Sequence, residues 1–94
     1  MDVTSKHQLR TTVETLHSCS AEYHSSEILD VDGAWEGSVS VFKVDHPDTD
    51  TCYAWSSPIE GSDNRKFYAV LKIPPVETAA DAVRAAIVSD YRKE

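Results

Sequence analysis

Asp45-His46-Pro47-Asp48-Thr49-Asp50 concentrates three carboxylates and an imidazole within six residues. An oxygen-rich cluster of this kind suits a hard divalent cation. Cys52, just beyond it, would give His46 a thiol with which to form a nucleophile pair. Neither chemistry has the local sequence it needs. Cys52 stands between Thr51 and Tyr53, with no glycine-rich turn or helix N-terminus to lower its pKa. A polar segment broken by Pro47 is also what any solvated loop of an acidic protein contains. The segment is therefore read as a loop, and a small ligand-binding protein or enzyme using residues 45–50 stands as an alternative function.

Other ligand types are scattered. His17, Cys19, His24, His46 and Cys52 are residues that zinc accepts, but they form no Cys-x-x-Cys or His-x-x-x-His pair. Asp30-Val31-Asp32-Gly33 carries part of a calcium-loop pattern. With Asp30 and Asp32 at its third and fifth positions, that loop needs an acid at the first and Glu at the twelfth, where this chain has Ile28 and Val39. Gly33, Gly37 and Gly61 build neither a phosphate-binding loop nor a dinucleotide fingerprint. No catalytic residue, metal ligand or cofactor is assigned from the sequence.

A length of 94 residues allows one domain with a single core. Nine Lys and Arg against 16 Asp and Glu give a formal charge of −7. That charge repels nucleic-acid phosphate and anionic membrane, so direct nucleic-acid binding is not expected. The adjacent basic pairs, Arg65-Lys66 and Arg92-Lys93, read as solvated ends of elements. Spaced carboxylates on one surface could instead imitate the phosphates of DNA and bind a basic protein, a further alternative that follows from charge alone. The opening residues hold no signal-peptide apolar run, and no stretch approaches the ~20 apolar residues of a membrane span. A soluble, cytoplasmic protein is expected, with Cys19 and Cys52 as reduced thiols.

The elements that must position these side chains follow from periodicity. Leu9, Val13 and Leu16 fall at i, i+4 and i+7, the stripe of a helix over residues 5–17 that Thr4 or Ser5 could cap. The β-branched Thr11, Thr12, Val13 and Thr15 leave a strand over 9–15 as the competing form. Residues 19–24 alternate as a strand, and Ile28-Leu29 resumes the alternation in the other phase, which requires a bulge near Ser25 or Ser26. Asp32-Gly33 then makes a hairpin turn. In the next strand Trp35, Gly37, Val39 and Val41 share one face, and Phe42 and Val44 take the other.

Residues 51–55 form a third strand, and Pro58, lacking an amide donor, demands an edge position or a bulge. After the turn at Gly61-Ser62-Asp63-Asn64 comes a fourth strand that Pro74-Pro75 ends. Thr78 then caps a helix with Asp81 at its third position. Ala80, Val83, Ile87 and Tyr91 line its buried stripe, widened by Ala79, Ala82 and Ala86, and Arg84, Ser89, Asp90 and Arg92 face water.

These elements specify an α+β fold: a four-stranded antiparallel meander with a C-terminal helix packed on one face, and an N-terminal helix. The order helix, strands, helix resembles that of a double-stranded-RNA-binding domain, but the charge opposes that function and topology alone does not carry it across. Phe67, Ala69, Leu71 and Ile73 share one face, where the C-terminal helix is expected to pack. Tyr68 and Val70 take the other face, together with Tyr53 and Trp55, or with Phe42 and Val44, depending on register. A sheet face left to water should read polar, and this one does not. It is expected to be covered by the N-terminal helix, by a second copy of the chain or by another protein. The expected function is a small, acidic, non-enzymatic protein-interaction or assembly module, homodimeric or with a protein partner. Its candidate surface is Tyr53, Trp55, Tyr68 and Val70.

Overall fold

The computed structural model describes residues 6–31, 33, 35–58, 61, 63 and 65–92. Six elements follow in order: α1 (Lys6–His17), β1 (Ala21–Val31), β2 (Trp35–His46), β3 (Thr49–Pro58), β4 (Arg65–Leu71) and α2 (Ala79–Arg92). The strands form one four-stranded antiparallel sheet in the order β1-β2-β3-β4, so the fold is α+β. The cap proposed at Thr4 or Ser5 lies outside the described residues.

Residues 9–15 are helical. Leu9 and Val13 sink into one apolar cluster, and the Thr12 hydroxyl donates back to the Gln8 carbonyl at 2.9 Å, where it no longer competes for the backbone. Burial of one face thus outweighs the weak helix propensity of the threonines. Ser18, with φ at 52°, takes the left-handed conformation that ends the helix.

The bulge falls at His24. Tyr23 pairs with Phe42 and Ser25 with Val41, so two steps on β1 oppose one on β2. This extra residue moves the apolar side chains of β1 from one face of the sheet to the other. Ala21 and Tyr23 pack beneath α1, whereas Leu29 and Val31 pack beneath α2.

The two helices lie on opposite faces. On one, Leu9 and Val13 of α1 meet Phe42, Val44, Cys52 and Ala54, flanked by Phe67, Ala69 and Leu71. On the other, Ala79, Ala82 and Val83 of α2 meet Val31, Val39, Tyr53 and Trp55, flanked by Tyr68 and Val70. The expectation that α2 covers Phe67, Ala69 and Leu71 is therefore corrected: α1 covers them. The small side chains of α2 lie close over Tyr53 and Trp55, and Leu9 and Val13 of α1 pack over Ala54, Ala69 and Cys52 beside Phe42 and Phe67, so each helix fills the face it covers.

Beyond Ser40↔Ala54 no β2–β3 pair continues toward Trp35 among the described residues. The Lys72 amide donates to the Thr51 carbonyl at 2.9 Å, and alternation from that bond turns the backbone of Pro58 away from β4 and toward this unpaired gap. A proline is thus accommodated in an interior strand of the sheet, because that strand is locally an edge.

Candidate functional site

The four residues expected to form an interaction surface are divided by the fold. Tyr53 and Trp55 are 5% and 2% exposed, enclosed by α2 of the same chain. Burial, and after it the carboxylates of Glu27 and Asp81, raise the pKa of the Tyr53 hydroxyl. Tyr68 and Val70 remain half-buried. The Tyr68 ring stacks on Trp55 at 5.1 Å, and Lys66 Nζ sits 5.1 Å above the Tyr68 ring. The apolar face identified in the sequence is thus covered from within the chain at its centre and accessible at its margin.

That margin is the open side of β4. Five consecutive residues, 66–70, line a groove of about 270 Å³ together with Leu16 from α1 and Ala85, Ala86 and Ser89 from α2. Helices wall the strand on both faces, and among the described residues no strand neighbours its outer edge. Because Lys72, and by alternation Val70, Tyr68 and Lys66, direct their backbone groups to β3, those of Phe67, Ala69 and Leu71 point outward. Two outward carbonyls are occupied. His17 Nε2 reaches the Ala69 oxygen at 2.8 Å, and the Ile73 amide turns back onto the Leu71 oxygen at 2.9 Å. Leu16, in the groove lining, and Val88, about one helical turn along α2 from Ala85, are 59% and 50% exposed. Leu16 was expected in the buried stripe of its helix and is instead exposed at this margin; Ser89, expected on the solvated side of α2, is exposed and also lines the groove. Sequence periodicity alone could not mark them, since the groove depends on which strand ends the sheet.

The loop of carboxylates lies elsewhere. Pro47 and Asp48 form the turn between β2 and β3, where the Asp48 amide donates to His46 Nδ1 at 3.1 Å and the two side chains stand 3.9 Å apart. Asp45 instead accepts the Ser20 amide at 2.8 Å, and this bond holds its carboxyl below the usual range. Asp50 accepts the Thr51 hydroxyl at 3.0 Å. Among the described residues no three His, Cys, Asp or Glu side chains are grouped so as to hold a metal ion. Nor does either thiol have the electrostatics of a nucleophile. Burial pushes Cys52 up to about 12, and burial with the charges of Asp45 and Glu14 raises Cys19. Both cysteines are unbridged.

A larger, open cleft of about 660 Å³ lies beside α1 over the start of β1, with Phe42 and Tyr23 in its lining and His7, Arg10, Lys43 and Asp45 around them. Arg10 is engaged by Glu14 at 3.3 Å, and the same carboxylate accepts the Ala21 amide at 3.1 Å. These charges fasten α1 to the start of β1. No helix among the described residues is long and apolar enough to cross a membrane. No protein-family model, curated protein or solved structure matches this chain.

Proposed function

We propose that the protein is a small, non-enzymatic interaction module, acting in the cytoplasm, whose working surface is the open margin of β4. The observation that carries this reading is the groove over residues 66–70, walled by a helix on each face, with the exposed Leu16 in its lining and the exposed Val88 about one helical turn along α2 from the lining residue Ala85. Half-buried Tyr68 and Val70 are its part of the surface first inferred from the sequence, while Tyr53 and Trp55 hold those two in place from beneath. Burying each exposed aliphatic side chain against a partner would contribute about 1.5–3 kcal/mol. A homodimer is one form that such a module could take.

The test compares the wild-type chain with a Leu16→Asp, Val88→Asp double variant in quantitative affinity capture from the source cells, with light scattering of each across a concentration range. Association lost in a variant of unchanged circular dichroism supports the reading. Identical capture and identical mass for the two proteins would overturn it.

A further inference from the structure

We propose that the partner reaches this surface as an extended, acidic segment of another protein that adds to β4 as a fifth strand. The inference rests on the interaction reading above and names the ligand for the same surface. Its first ground is the backbone. The main-chain groups of Phe67 and Ala69 and the Leu71 amide face outward, the Leu71 carbonyl being taken by the Ile73 amide, and the 2.8 Å bond from His17 marks the Ala69 oxygen as a carbonyl that takes a donor from outside the sheet. An extended peptide is the ligand whose own amides and carbonyls repeat at the spacing of that edge.

Charge is the second ground. In a chain of net charge −7, residues 64–76 contain Arg65, Lys66 and Lys72 and no acid. Lys66 and Lys72 are exposed and stand at either end of the margin on the α2 side, with Tyr68 and Val70 between them. Six residues of extended chain separate them, about 20 Å. The matching strand carries acids at its ends and apolar side chains between, at alternate positions. A second copy fits less well. Two β4 edges would set these cations against their own counterparts, and the acidic β1 edge is interrupted by the bulge at His24.

The probe is a seven-residue peptide with glutamate at both ends, valines third and fifth, and threonines between, which reads the same in either strand direction. Titrated into the full chain and followed by amide NMR, it is expected to shift the Phe67, Ala69 and Leu71 amides, to slow their hydrogen exchange, and to displace the His17 ring. A lysine-ended version should not bind. Lys66→Glu with Lys72→Glu should weaken binding about tenfold or more, an effect that shrinks with salt. His17→Ala, which removes the competing donor, should strengthen it. Ala69→Pro, which deletes an outward amide and no β3–β4 bond, should abolish it; if that variant unfolds, the charge variant decides.

No shift at millimolar peptide, equal binding of the lysine version, or shifts on another surface would overturn the proposal. So would the same amide shifts arising from self-association without peptide, which would assign the edge to a second copy. If the peptide fails while association still depends on Leu16 and Val88, strand addition falls and the interaction module stands.

Discussion

Trp35 Nε1 donates to Ser57 Oγ at 3.0 Å and so joins β2 to β3 past the point where their ladder stops. The indole also meets Trp55 edge-on, with ring centroids 6.2 Å apart, and Trp55 passes the contact to Tyr68. A row of three aromatic rings thus ties the β1–β2 hairpin to the edge strand that carries the proposed binding surface. Gly37 makes the row possible. A Cβ at that position would stand 3.0 Å from two carbons of the Trp35 ring.

Replacing Gly37 by Val should therefore push the indole aside and break its bond to Ser57. The expected loss is about 1–3 kcal/mol, read from urea unfolding, with red-shifted tryptophan fluorescence in the native state. Trp35→Phe keeps an aromatic ring but no donor and should cost about 1 kcal/mol. Unaltered midpoints in both variants would show that the row contributes nothing.

Asp30 and Glu36 face each other directly across the β1–β2 ladder, and both are exposed. Like charges so placed repel. Glu36→Lys should raise stability by roughly 0.2–1 kcal/mol, with the gain fading as salt is added. A gain that persists in molar salt would point to a cause other than charge.

At the start of α2 the Asp81 amide donates to the Thr78 hydroxyl at 3.1 Å, while the Asp81 carboxylate accepts the Glu77 amide at 3.1 Å. Thr78→Ala should cost about 1 kcal/mol, and Thr78→Ser should restore most of it. Because α2 covers Tyr53 and Trp55, thermal melts followed by far-ultraviolet dichroism and by tryptophan fluorescence should shift together.

Alkaline pH should destabilise the fold through Cys52. Its thiol, buried and raised to about 12 from an ordinary value of 9.0, keeps its proton in the native state after the unfolded chain has released it. The native state then binds more protons, so stability is full below pH 9 and falls as pH rises toward 12, by up to about 1.4 kcal/mol per pH unit. The raised hydroxyl of Tyr53 acts with the same sign above its ordinary value of 10.0. Cys52→Val should leave neutral stability nearly unchanged and flatten the decline between pH 9 and 12. An equally steep decline in that variant would place the cause elsewhere.

Much of the fold is legible in local sequence. Alternation marks the strands, and Thr78 with Asp81 announces the last helix. The bulge lies one residue before Ser25, but the residue that suggested it, Ile28, is 86% exposed, and Tyr23 and Leu29 share one phase in the sequence and reach opposite faces only through the bulge. Of the two hairpin turns expected at glycine, Gly33 has φ at 70° and Gly61 at 79°, while Asp32, Ser62 and Asn64 lie outside the described residues. The helix over 9–15 could not be separated from a strand, because threonine propensity and apolar spacing disagree there and only burial of Leu9 and Val13 decides between them.

By itself the sequence determined that β4 has two apolar sides, since period-two alternation is a property of one strand. Which helix covers which side, and how much is left over, only the tertiary structure decided. That outcome rests on the packing of the small side chains of α2 over Trp55 and Tyr53, a contact between segments distant in the chain. For the same reason Tyr68 and Val70 passed from the centre of a supposed surface to its margin. The edge groove beside them exists because β4 ends the sheet between two helices, and no stretch of sequence read alone contains that fact.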